Sequence, residues 1–78
     1  MGDITAAERK IMAHSLGMKD GNKRPYRNYF CAEDGHTDMP LIRSLIAKGM
    51  MFEGRGGFYH VTDAGCALLG TTREEAER

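Results

Sequence analysis

Residues 41–65, LIRSLIAKGMMFEGRGGFYHVTDAG, fit one local chain path and few others. Leu41, Ile42, Leu45 and Ile46 recur at i, i+1, i+4 and i+5, an apolar stripe on a helix of period 3.6 that has to be buried. Gly49 accepts the left-handed conformation that ends such a helix, and Lys48 places a cation in its last turn. Residues 50–53 and 58–61 then flank Gly54-Arg55-Gly56-Gly57, a loop whose glycines suit a tight hairpin, with Arg55 at its tip. Thr62 closes the second strand and can N-cap a further helix, with Val61 at N′ placed to staple against Cys66 at N4. Gly65 falls in the first turn of that helix, where a missing Cβ permits close packing.

The succession of an (L/I)-x-x-L-x-x-x-G-(M/L) helix, a glycine-bearing hairpin, an aromatic and V-T-x-x-G resembles the second half of winged-helix proteins. The resemblance covers about a third of the chain. It implies that the helix of residues 41–48 is a recognition helix, that the hairpin is a wing, and that Thr62-x-x-Gly65 starts a packing helix. The expected fold is therefore a small α+β winged-helix-like domain of three helices and a β-hairpin over residues 1–70. Residues 71–78 have no apolar stripe and are expected to form a frayed polar tail, although Thr71-Thr72-Arg73-Glu74 can cap one more turn.

The 78 residues make one small domain. A chain of that length buries only about 60% of its unfolded surface, so association would help it. Eleven basic and eleven acidic residues give zero net charge, which argues against a dedicated surface for non-specific nucleic acid or membrane but permits local patches. No apolar run is long enough to span a bilayer and no signal-peptide succession is visible, so a cytoplasmic location in a host cell is expected. Cys31 and Cys66 read as buried apolar thiols.

Thr5-Ala-Ala-Glu8 is a capping box that opens the first helix. Ala7, Ile11, Met12 and Leu16 share its apolar face, Arg9 and Lys10 lie opposite, His14 sits at the edge and Gly17 is the stop. No internal repeat follows. Residues 19–28, KDGNKRPYRN, form a polar loop with four cations against Asp20 alone, in which Pro25 biases Arg24 toward extended geometry. Tyr26, Tyr29 and Phe30 at i, i+3 and i+4 suit one helical turn facing the core, with a short extended piece as the alternative. Residues 32–36, AEDGH, are an acidic loop, after which Thr37 is the expected N-cap of the central helix, with Asp38 and Pro40 in its first turn.

The Tyr26-Arg27-Asn28-Tyr29-Phe30 run, with Thr5, Glu8, Arg9, Ile11, Leu16, Gly17, Ile42, Leu45, Gly49 and Met50, resembles a family of short uncharacterised bacteriophage proteins. Those carry T-x-x-(E/Q)-R-x-(I/L), then L-G, then Y-R-N-(H/Y)-F, then L-x-x-L-x-x-x-G-(L/M). This chain departs in a shortened hairpin and in Tyr29 where histidine is frequent. The resemblance implies a phage or prophage origin. Small phage accessory proteins of this size include many that bind and block host machinery, anti-CRISPR proteins among them.

Catalysis is not expected. The bases of suitable pKa are His14, His36 and His60, and none is paired with a nucleophile at a diagnostic spacing. Cys31-x4-His36 with His60-x5-Cys66 is the sharpest metal hypothesis, four zinc-compatible residues in two pairs. Neither pair has knuckle spacing, Cys66 falls on a core face and His60 in a strand. The expectation is therefore no metal and no cofactor, with core thiols and surface histidines instead. Met39, Met50 and Met51 read as core filler.

Two functions remain. The first is non-catalytic binding of a host protein or complex, with contacts at Lys23, Arg24, Arg27, Glu33, Asp34, Asp38 and Arg55. The alternative is a winged-helix DNA-binding regulator using Arg43, Lys48 and Arg55, against which Glu33, Asp34 and Asp38 would repel phosphate near the N-terminus of the recognition helix.

Overall fold

The computed structural model describes residues 3–18, 24–32 and 35–77. Helix α1 (Ala6–Leu16) starts at the expected capping box: the Glu8 amide donates to Thr5 Oγ1 at 3.1 Å and the Thr5 amide to Glu8 Oε1 at 2.9 Å. It ends at Gly17, whose φ of 75° is the left-handed cap. Its buried face is Glu8, Ile11, Met12, Ser15 and Leu16, while Ala7 is exposed. Ser15 is tolerated inside because its hydroxyl donates to the Ile11 carbonyl at 2.7 Å.

Glu8 is buried at 2% exposure and has a second partner, Lys48 Nζ, 2.7 Å from its Oε1. The same ammonium donates to the Asp3 carbonyl at 2.8 Å, so Lys48 clasps the start of α1 to the end of α2 (Met39–Ala47). This corrects the expectation of Lys48 as an outward, DNA-facing cation. Lys48, hydrogen bonds from Ser44 and the Thr5 amide hold the Glu8 carboxyl down at about 2, against an ordinary value of 4.5. A carboxyl depressed on folding contributes stability that is complete above its unfolded pKa and lost as pH falls through its folded one. Acid titration should therefore destabilise the fold between about pH 4.5 and 2, and a melting midpoint flat across that window would contradict the pair.

Residues 25–29 form no helix and lead into β1 (Phe30–Cys31), which corrects the expected helical turn and realises the extended alternative at Phe30. The Tyr26 and Tyr29 amides donate to the Leu16 and Ser15 carbonyls at 3.0 Å each, so α1's last turn fixes this path and leaves no helical ladder to form. The sheet is antiparallel in the order β1-β3-β2, with β2 (Met51–Glu53) and β3 (Phe58–Val61) forming the expected hairpin. Phe30 pairs with Tyr59 and Met51 with Val61 on the buried face; Cys31 pairs with Phe58 and Phe52 with His60 on the other. Asn28 lengthens the short β1 ladder: its Nδ2 donates to the Val61 carbonyl at 3.1 Å and its Oδ1 accepts the Val61 amide at 2.7 Å.

Asp38, not Thr37, is the N-cap of α2, and its carboxylate makes no capping bond. The reason is local: the Asp38 amide donates to His36 Nδ1 at 3.0 Å and the Met39 amide to the His36 carbonyl, which winds the turn one residue later. Helix α3 (Asp63–Leu68) is capped by Thr62, as expected, with Val61 and Cys66 both fully buried. The tail expectation is corrected by α4 (Arg73–Ala76), capped by Thr72 and docked through Ala76, which is 1% exposed. A single alanine anchor gives no stripe, so pattern alone misses it. The architecture among the described residues is thus four helices and a three-stranded antiparallel sheet, with β1 and α4 added to the expected elements. Met12, Leu16, Ile42, Leu45, Met51 and Val61 are the large side chains at its centre.

Candidate functional site

The outer face of β1 and β3 is left open at one end. Tyr26, Tyr29 and Phe58 are 62%, 45% and 41% exposed, a density of solvent-facing aromatics that a domain of this size gains nothing from for its own core. Period-2 alternation builds the face: Phe30 points inward, so Tyr29 and Cys31 point outward on either side of it. The Tyr29 and Phe58 rings meet edge to face, 6.0 Å apart at 73°.

Arg27 orders this surface. Its guanidinium lies 5.4 Å from the centroids of both Tyr26 and Tyr29, and its Nε and Nη2 donate to the His14 carbonyl at 3.2 and 2.6 Å. The same contact satisfies a carbonyl near the C-terminus of α1, where a cation is favoured by the helix dipole. A Cβ at Gly17 would overlap the Tyr26 ring, so the glycine that ends α1 also makes room for that side chain. Arg27 and the ring-to-ring contact thus hold Tyr26, Tyr29 and Phe58 against the chain's own surface.

At the other end of the same face, α4 supplies a cover. Phe52 and His60 stack 5.2 Å apart, and the Arg73 guanidinium lies 5.2 Å from the Phe52 centroid. Arg73 Nε donates to Glu77 Oε2 at 2.9 Å, and Asn28 Nδ2 donates to the same oxygen at 2.8 Å. These bonds push the Glu77 carboxyl below its ordinary range and the Arg73 guanidinium above its own. His60 Nδ1 lies 2.7 Å from the Asn28 carbonyl, which can only accept, so that nitrogen carries the proton.

The residues singled out from sequence are scattered over the molecule. Arg24 and Arg55 are exposed, the first beside Tyr26 in the chain and the second at the hairpin tip, where its carbonyl accepts the Phe58 amide at 3.0 Å. Arg27 is half-buried in the stack just described. Asp38 lines a separate groove with Lys10, His14, His36, Phe30 and Leu41, and Arg43 is exposed on α2. Lys23, Glu33 and Asp34 lie outside the described residues. Tyr26, Tyr29 and Phe58 were read as core or strand residues and not as contacts; alternation against the buried Phe30 and Tyr59 finds Tyr29 and Phe58, whereas Tyr26 is in phase with the buried Asn28 and Phe30 and no pattern signals its exposure.

The four metal candidates do not come together. Cys66 is fully buried in α3, where burial raises its thiol pKa, while Cys31 is exposed on β1, contrary to the expected buried thiol. His36 Nδ1 is taken by the Asp38 amide and its ring stands on Phe30 at 5.8 Å, and His60 Nδ1 is committed to Asn28. Among the described residues no three His, Cys, Asp or Glu side chains are grouped to hold a metal ion. No helix among them is long and apolar enough to cross a membrane. Comparison with family models, with curated proteins and with solved structures finds no match to this chain.

Proposed function

We propose that the protein is a phage-type accessory protein that acts by binding a host protein without catalysis, as an inhibitor of a host defence complex of the anti-CRISPR kind. The observation that supports this most is the preordered Tyr26-Arg27-Tyr29-Phe58 face. Tyr, Phe and Arg are the residue types that dominate the energetic centres of protein interfaces, and rings fixed in advance lose little entropy on docking. The order of elements, a helix, a short strand, a helix and a hairpin in a β1-β3-β2 sheet, supports reading the scaffold as winged-helix-like.

That same order favours a second reading, a DNA-binding regulator with α2 as its recognition helix. It retains Arg43 and Arg55 as exposed cations, while Lys48 is spent on Glu8. Two arginines supply little of the phosphate neutralisation that duplex binding needs.

Pull-down from a bacterial host lysate with the tagged protein, beside a Tyr29→Ala/Phe58→Ala variant, tests the first reading. Capture of a defined host protein by the parent and a loss of at least about tenfold in the variant, whose fold survives because both rings are exposed, is the expected result. Equal capture by both, or nanomolar affinity for an upstream DNA sequence that Arg55→Ala abolishes, would remove it.

A further inference from the structure

The open and the covered parts of the sheet's outer face form one row. Phe58 and His60 stand two positions apart on β3 and so share that face. Tyr29 meets the Phe58 ring from β1, and Phe52 pairs with His60 from β2. The part under α4 is assembled without it. His60 Nδ1 is bonded to the Asn28 carbonyl, and the Phe52 ring leans on the His60 ring at 5.2 Å. Asn28 has its own two bonds to Val61, to which Glu77 only adds.

The cover has a small apolar anchor. Ala76 is the one buried residue of α4 among the described residues. The Arg73–Glu77 pair joins the first residue of α4 to its own C-cap, so it stiffens the helix without tying it to the sheet. Across the junction, Glu77 accepts from Asn28 Nδ2 at 2.8 Å and Arg73 lies over the Phe52 ring. Glu74 and Glu75 are exposed, and polar contacts made at exposed positions stabilise weakly. The entropy of ordering the segment opposes all of these contacts. The lead-in to α4 is firmer: Thr71 is buried and its amide donates to the Cys66 carbonyl at 3.0 Å. Thr72, exposed and directly after it, is the point where backbone rotation lifts α4 and leaves α3 undisturbed.

We propose that α4 is a displaceable strap on the partner-binding face. In the free chain it occupies the Phe52–His60 half, and a docking host protein lifts it and takes the whole row from Tyr29 to Phe52. The inference rests on the protein-binding function above. The strap also shows what its replacement has to bring: an oxygen acceptor for Asn28 Nδ2, and a cation or an apolar group for the Phe52 ring. A face that is open in only a fraction of the molecules binds more weakly by that fraction, so α4 sets the affinity without touching the partner.

Fluorine NMR of the full chain, carrying para-fluorophenylalanine at position 52 or at position 58, tests the strap without the partner. Arg73→Ala/Glu77→Ala should move the resonance at position 52, leave that at position 58 in place, and keep the melting midpoint of the parent. In the parent, the Ala76 and Glu77 amides, which bond within α4, should exchange with deuterium at least about tenfold faster than the amide of the fully buried Leu45 in α2. In a host lysate the double variant should capture at least about threefold more of the protein that the parent captures, and adding Phe52→Ala should cancel the gain. An unmoved resonance at position 52 overturns the proposal. So does a double variant whose melting midpoint falls while the Leu45 amide loses protection, because α4 is then part of the core. The two levels separate in the lysate: capture that is unchanged in Arg73→Ala/Glu77→Ala but lost in Tyr29→Ala/Phe58→Ala sinks the strap alone. Capture indifferent to both variants sinks the protein-binding function with it.

Discussion

Gly65→Val is expected to lower the stability of the fold by about 3 kcal/mol or more, a large share of the roughly 5–15 kcal/mol by which native domains are stable. Gly65 lies in the first turn of α3, where a Cβ built on its backbone would stand 2.5 Å from both the Met50 carbonyl oxygen and Val61 Cγ1. One of those neighbours is backbone and the other is fully buried, so neither can retreat as a flexible surface side chain would. The Met50 carbonyl is also held in place as acceptor for the Thr62 amide at 2.9 Å. Even Gly65→Ala should cost more than the roughly 1 kcal/mol that alanine normally gains over glycine inside a helix. Urea denaturation of both variants measures this, and an unchanged midpoint in Gly65→Val would show that α3 does not pack where it is placed.

The second large effect is expected from Lys48→Met. Removing the ammonium leaves the Glu8 carboxylate buried with only Thr5 and Ser44 to satisfy it, a loss of about 3 kcal/mol at neutral pH. Methionine keeps most of the aliphatic stem, so the cost is electrostatic and depends on protonation. In the parent, the depressed Glu8 pKa gives stability that is present above 4.5 and lost toward about 2. In Lys48→Met the largest cause of that depression is gone, the Glu8 pKa moves back up, and the acid-side slope becomes shallower. Parent and variant stabilities should therefore converge on acidification. A penalty that stays constant from neutral pH down to about 2 would mean that the loss is one of packing and not of charge.

Much of this fold was legible in the chain because particular residues had a single physical use. Thr5 with Glu8, Gly17, the Gly54-Arg55-Gly56-Gly57 loop and Thr62 each specify a cap or a turn, and each forms where expected. What sequence concealed were groups with two uses. Glu8 serves the capping box and the buried pair at once, and its partner lies 40 positions away in the chain. Asn28 resembles a loop residue until Val61 appears beside it, supplying the backbone pairing that β1 is too short to provide. Tyr26, Tyr29 and Phe30 have a spacing that suits a helical turn as well as a strand, and only the bonds to Ser15 and Leu16 decide between them. Choosing the helix sent all three aromatics inward, and the exposed face was lost with it. Arg24, Arg27 and Arg55 were legible as contact candidates because they are cations in polar loops, but the rings they border were not.

The proposal that the open sheet face binds a protein is tested most directly by site-specific photo-crosslinking in a host lysate. A benzophenone amino acid is placed in turn at Phe58 on the open sheet face, at Ile46 on α2 and at Leu68 on α3, all three of them exposed apolar positions. Position 58 should give a discrete protein adduct, and positions 46 and 68 should give none at comparable yield. An adduct formed from position 46 alone, or crosslinks from α2 to DNA with no protein adduct at position 58, would contradict the account and return the function to the helix that a winged-helix DNA reader would use.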